Sequence, residues 1–433
     1  RYISVTGVQT CALPIYSQFT SQDFTIGDVS VVIEILRNKL YRHKVRTLVQ
    51  EYISNGRDAT REIGGKRPIE ITLPTTFVPT FKVRDFGPGI SPDRMYNVFI
   101  KYASSTKRKD NVQTGGFGIG AKSAWSYTES FTIVTHIDGV QRTYIAHIGA
   151  NNNGRLDFLG EEPSKEPNGT EIQIPVSPKD ITEFKRSAYR ATHFWKPEEK
   201  PKFLNVSQDE IPPYVEGERI GNIEVAKSVP DFIMPNYETG MIIAIDGIPY
   251  VAGSALIEKI GSFHKLYQAI TGRLVLHLNN GDLEVSASRE EIADSKATLD
   301  ALDAISKATL KSITARLSKE FSAATTPFEH LSVFMRLKDS YNLEAFRKVG
   351  DFVVADRNGI ESELFGQEAV KMEQCIISAP KMELIKEHAN KSGRYSWSRR
   401  ATIPADLFDN LYFTDGTETA LITNYRLKAL LAT

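Results

Sequence analysis

The chain has 433 residues, and 53 Lys and Arg balance 53 Asp and Glu. That length suits two domains, and 41% apolar with 24% charged residues excludes a disordered, collagen-like or disulfide-stapled chain. Zero formal net charge gives no support to a general nucleic-acid or membrane-surface binder, so no specific nucleic acid is expected. No apolar run approaches the roughly 20 residues that span a bilayer.

Residues 1–15 read RYISVTGVQTCALPI. Thr6, Gly7, Gln9 and Thr10 interrupt any signal-peptide core. Val5 to Ile15 resembles a translated sequencing adapter, so residues 1–15 are read as a non-native scar. On that reading the natural coding sequence starts earlier, and the C-terminus is open to truncation. Cys11 goes with the scar and Cys375 remains, which leaves no intrachain disulfide and no cysteine-rich zinc site. A reducing cytoplasm is the expected compartment.

Residues 17–177 form the first expected domain. Asp28 to Ile63 reads as mostly helical, with Val45, Leu48, Val49, Tyr52 and Ile53 at helical spacing. Ile69–Leu73, Phe81–Arg84, Phe131–His136, Thr143–Ile148 and Glu171–Pro175 read as strands. The pattern predicts helices on one face of a mixed or antiparallel sheet. Proline-rich chain follows, with a joint at Lys196–Pro201. A second α/β unit is expected over 178–325, with strands at Met241–Ile245, Tyr250-Val251, Leu274–Leu278 and Leu283–Ala287. Ala293 to about Ser322 reads as a helix, and 326–433 stays unassigned.

Three motifs carry chemistry. Glu51, Asn55 and Asp58 stand at i, i+4 and i+7, on one strip of a helix. Such a strip can offer a base for water and an oxygen ligand for magnesium; an ordinary solvated helix face would carry the same residues. Asp85-Phe86-Gly87-Pro88-Gly89 follows a strand. Its Asp can accept from an exocyclic amine while its glycines admit a ligand to the backbone; a plain tight turn uses the same residues. Gly115-Gly116-Phe117-Gly118-Ile119-Gly120 leads into a helix-like run, where backbone N–H groups can cradle phosphate. A flexible loop is the alternative. The segment upstream is basic (Lys107, Arg108, Lys109) and reads as mobile. A P-loop fails because Ala121 precedes Lys122, and a dinucleotide fingerprint fails at Ser123.

Taken in this order, the motifs resemble the GHKL ATPase superfamily with its Bergerat fold, which includes DNA gyrase B, Hsp90-type chaperones, MutL and sensor histidine kinases. The resemblance implies an α+β architecture. A Bergerat-type ATP-binding α/β sandwich would be followed by a βαβ-type transducer domain and a helical or mixed C-terminal region. It implies ATP and Mg2+ as cofactors. By the same resemblance Glu51 is the general base, Asn55 the magnesium ligand and Asp58 a supporting residue. Asp85 reads adenine, with Gly87 and Gly89 beside it. Lys107, Gly115, Gly116, Phe117, Gly118, Ile119 and Gly120 belong to the lid and phosphate cradle. Thr170, in Asn168-Gly169-Thr170, reaches the adenine region. Arg289, in Ser288-Arg289-Glu290-Glu291-Ile292, corresponds to a basic residue of the second domain that reaches the γ-phosphate. A surface Arg at a charged helix start is the plain alternative for it.

Asp85 to Ser91, the Tyr102-to-Tyr127 lid with its glycine-rich end and Lys122-Ser123, and the Val285-to-Ile292 strand end carry a finer likeness, over most of 28–320, to rIIA-like rapid-lysis proteins of T4-type bacteriophages. It implies action in the cytoplasm of an infected bacterium, in lysis timing and phage exclusion. It also implies an rIIB-like companion and peripheral association with the inner membrane. Members of the superfamily often dimerise through the ATP domain, so a homodimer is a further expectation. Two activities compete: an ATPase that switches conformation, and a non-catalytic ATP-gated binding module. A MutL-like or chaperone-like ATPase is a third possibility. No helical hairpin with a phospho-acceptor His precedes the domain, which disfavours a histidine kinase.

Overall fold

Val45, Leu48, Val49, Tyr52 and Ile53 are all buried along one stripe of helix α1 (Lys44–Glu62). The helix forms where that stripe can leave water, and each such side chain contributes about 1.5–3 kcal/mol on burial. In this computed structural model the described residues are chiefly 39–99, 120–149, 153–226, 228–235 and 240–324, with short pieces at 34–35 and between 333 and 428. Residues 1–15 lie outside them. So do Lys107, Gly115, Gly116, Phe117, Gly118 and Ile119.

The first sheet has seven strands in the order β5-β4-β3-β6-β2-β1-β7. They are β1 (Glu70–Thr72), β2 (Thr80–Arg84), β3 (Ser130–Ile137), β4 (Val140–Ile148), β5 (Gly154–Pro163), β6 (Gly169–Pro175) and β7 (Lys202–Leu204). Only β1 and β7 run parallel; the other pairs are antiparallel. Helices α1 and α2 (Ile181–Thr192) share one core with the sheet, where Leu48, Ile53, Phe81, Ile133, Ile174 and Phe184 are buried together. This is the mixed α/β layer that the pattern predicts. Helix α2 and β7 lie beyond residue 177 in the chain, yet they complete this layer.

Strand β5 is not foreseen by the sequence reading. It is an edge strand, and its GRLDFLGEEP face is mostly exposed, so it carries no buried alternation to read. Leu283–Ala287 is a second departure. It is no strand: Val285 bridges Ile292, and the chain reverses between them with Ser286 N donating to Glu291 O at 2.9 Å. The apolar alternation there ends in a tight turn.

The second sheet runs β11-β10-β12-β9-β8. Its strands are β8 (Glu218–Ile220), β9 (Ile223–Ala226), β10 (Gly240–Ile245), β11 (Ile248–Gly253) and β12 (Arg273–Leu278). Helices α3 (Ser254–Lys259) and α4 (Gly261–Gln268) carry the chain back so that β12 lies parallel to β10. Strand β10 is buried on both faces. Met241, Ile243 and Ile245 join Phe263, Leu266 and residues of α5 (Lys296–Ala323), while Ile242 and Ala244 meet Phe194, Ile233 and Met234. Further on, four strands between residues 384 and 428 form a separate sheet. No helix among the described residues is long and apolar enough to cross a membrane.

Glu224 on β9 is buried, and it accepts from Tyr214 Oη at 2.6 Å and Gly217 N at 2.8 Å, with His277 Nε2 at 2.7 Å. Burial raises its pKa, but the His277, Tyr214 and Gly217 contacts outweigh that and hold it at about 2. An unfolded Glu titrates near 4.5. The stabilisation is therefore complete above that pH and is lost as the pH falls towards 2; it is worth on the order of 3 kcal/mol. Urea melts over this window should show wild type losing stability with acid and E224Q losing less. Equal slopes would remove Glu224 as the cause.

Candidate functional site

Helix α1 places Glu51, Asn55 and Asp58 on one strip, and the strip is not a solvated face. Glu51 is 4% exposed and Asp58 is fully buried. Asn55 between them is half-buried. Both acids are thus sheltered, with one carboxamide partly open to solvent between them.

Asp85 sits where β2 ends, beside the same helix. A Cβ built on Gly56 would lie 3.6 Å from Asp85 Cβ, which puts this carboxylate one residue beyond Asn55. Asp85 Oδ1 accepts from Gly87 N at 2.9 Å and from Thr170 N at 3.1 Å. Asp85 N in turn donates to Thr170 O at 2.9 Å. The β2 end and the start of β6 therefore fix the carboxylate together. Gly87 rests on the α1 backbone: any Cβ there would fall 2.5 Å from Ala59 O. Gly89 follows in the turn, beside His136 and Ile137 of β3.

The glycine run ends against Glu51. A Cβ on Gly120 would be 2.0 Å from Glu51 Oε2, so only glycine fits while the carboxylate keeps its place. A short helical stretch, Gly120–Ser126, then packs on α1.

Arg289 arrives from the second unit. Its Nη1 donates to Glu51 Oε1 at 3.1 Å and Oε2 at 3.3 Å. Its φ of 56° is left-handed, which costs a non-glycine residue about 1 kcal/mol and is found where a site needs a side chain aimed. Its Nε is buried without a hydrogen-bond partner. An unanswered guanidinium N–H beside a sheltered carboxylate suits a phosphate oxygen. Asp85, Asn55, Glu51, Gly120 and Arg289 all border α1, which brings a carboxylate held by amides, a carboxamide, a sheltered acid and a guanidinium to one face of the helix.

Residues 43–171 match the family model for histidine kinase-, DNA gyrase B- and HSP90-like ATPases. Over these residues the chain is similar to GHKL-type ATPase domains. The match opens one residue before α1 and closes one residue past Thr170, so it spans the three motifs. The chain matches no curated protein.

Within the matched region and the unit that follows it, several residues at the site escaped the sequence reading. Burial pulls the pKa of Arg289 down, but the charge of Glu51 and the nearby Tyr250 more than offset it, and the net shift is upward. Tyr250 comes from β11, and burial pushes its pKa up to about 12 against the opposing charge of Arg289. Tyr41 lies by the same pair; burial, then Glu51 and Glu290, raise its pKa. Lys122, two residues past Gly120, is 3% exposed, and burial lowers its ammonium to about 8. The sequence signal for Lys122 was present, since it follows the glycines directly. Gln50, Tyr250 and Glu290 gave none, because each matters through a contact with the other unit.

Among the described residues no group of three or more His, Cys, Asp or Glu is placed to hold a metal ion. A magnesium ion at this site would therefore rely on Asn55 and on phosphate oxygens, in keeping with how Mg2+ binds substrate phosphates.

Proposed function

We propose that the chain binds Mg-ATP along α1, beside Asp85 and Glu51, and hydrolyses it slowly, with the second unit as a transducer that senses the terminal phosphate through Arg289. What carries the reading is the contact between Arg289 and both oxygens of Glu51, across 238 residues of sequence. A base and a phosphate-seeking cation from two units meet at one point.

On this reading the Asp85 carboxylate, held by two amides, accepts from the exocyclic amine of adenine. Gly87 keeps the wall flat enough for the ring to approach. The phosphate tail runs towards Gly120, with Lys107 and Gly115 to Ile119 assigned to it by the family resemblance alone. Magnesium held through Asn55 would neutralise charge on the β- and γ-phosphates. Arg289 leaves Glu51 for the γ-phosphate oxygens, where a guanidinium binds in bidentate fashion. Glu51, released from its partner, takes the proton of the attacking water at Oε. The hand-off ties base activation to arrival of the terminal phosphate. Turnover is slow because the lid must order and two units must move before chemistry.

The finer likeness to rIIA-like phage proteins belongs to the same proposal. It implies the rIIB-like companion, the peripheral membrane association and the role in lysis timing, while the homodimer is implied by the wider superfamily resemblance. A second reading has an observation of its own. With Glu51 tied to Arg289, the same site serves a non-catalytic module that uses ATP only to set a partner-binding state. Steady-state phosphate release from Mg-ATP by the purified chain separates the two. Release above the blank supports the ATPase; ATP binding with no release supports the module.

A further inference from the structure

Helix α1 does not cap itself. His43 at its cap position makes no side-chain capping bond, and its first turn has no acidic residue. The N–H groups there need acceptors from elsewhere, and Glu290 of the second unit answers the one at the cap position, His43 N, together with Arg42 N just before it. Its Oε2 accepts from Arg42 N at 3.0 Å, and its Oε1 accepts from His43 N at 2.5 Å and from Thr47 Oγ1 at 3.0 Å. A carboxylate at this end also favours the helix dipole. On the other side of Arg289, Gln50 Nε2 donates to the Arg289 carbonyl at 3.3 Å. The strained left-handed residue is thus held from both sides by the helix that carries Glu51.

We propose that Glu290 is a positioning residue: by capping α1 across the two units, it locks the Ser286–Ile292 turn to the helix and sets Arg289 against Glu51. The idea rests on the ATPase reading for its kinetic consequence but not for its structural one. When Arg289 turns to the phosphate, Glu290 keeps the turn docked, so the guanidinium changes partner without the units separating. Loss of Glu290 lets the turn lift. Arg289 is then misplaced, although the adenine contacts of Asp85 are untouched.

The test uses the full chain with E290A, E290Q, R289A and the R289A/E290A double variant. E290A should lower kcat for phosphate release about tenfold, with KM for ATP within about twofold, because a misplaced transition-state group costs kcat rather than binding. The double variant should be no slower than R289A, since both changes remove one unit of function. E290Q, which keeps one acceptor oxygen and loses the charge, should fall between and guards against early melting of E290A. Amide exchange without nucleotide gives a second readout. E290A should speed exchange at Arg42, at His43 and also at Arg289, whose N–H donates to Ser286 O at 2.9 Å. A simple helix cap would free only Arg42 and His43, would leave kcat unchanged, or would give losses that multiply in the double variant; any of these overturns the proposal. A wild type that releases no phosphate would remove the ATPase reading, and exchange at Arg289 would still decide the positioning.

Discussion

Glu51→Gln should leave ATP binding intact and lower phosphate release by about a hundredfold to ten-thousandfold, the range a general base supplies. Gln is the informative choice. Its carboxamide oxygen still accepts from Arg289 Nη1, which donates to Glu51 Oε1 at 3.1 Å, so the contact between the units survives. Glu51→Ala would do more than remove a base. It would leave a guanidinium with 11% side-chain exposure unpaired, at a cost of about 3–5 kcal/mol. Loss of activity in the Ala variant would then mix chemistry with folding. Turnover measured under saturating ATP, beside nucleotide-induced thermal stabilisation, separates the two. A Gln variant that hydrolyses at the wild-type rate would take the role of base from Glu51.

Arg289→Ala carries the second large effect. A guanidinium on the transferring phosphoryl group is worth about a thousandfold or more in kcat. Ala bears the same left-handed backbone cost as Arg at φ 56°, so the difference reports the side chain. Arg289→Lys should recover part of the rate, because it restores a charge without the planar fork. The sign matters here. If Arg289 only masks Glu51, its removal frees the base and raises turnover. A faster R289A would therefore reject the hand-off and leave Arg289 as an inhibitory partner.

Local signals made much of the first layer readable. The stripe Val45, Leu48, Val49, Tyr52 and Ile53 reports α1 because an amphipathic helix has to bury those positions. The 85–89 turn and Gly120 are legible because a close approach admits almost nothing but glycine, as Ala59 O against Gly87 and the Glu51 carboxylate against Gly120 illustrate. Edge strand β5 was not legible, since exposed strands need no apolar alternation. Leu283–Ala287 read as a strand because Leu283 and Val285 alternate like one, and only the reversal fixed by Ser286 and Glu291 reveals otherwise. Glu290 was out of reach altogether. Its partners Arg42 and His43 lie 248 and 247 residues away, and no sequence window spans that distance.

The site itself is tested most directly by titrating ATP into wild type and Asp85→Asn. Asn keeps an oxygen that can accept from Gly87 N and Thr170 N, so the β2–β6 junction should hold and the melting temperature should stay close to wild type. It also places an amide donor where adenine presents its own N–H. A site built for one hydrogen-bond pattern rejects the other strongly, so ATP affinity should fall about a hundredfold or more. Wild-type affinity in a folded Asp85→Asn protein would mean that the nucleotide, if it binds at all, does not sit against this carboxylate.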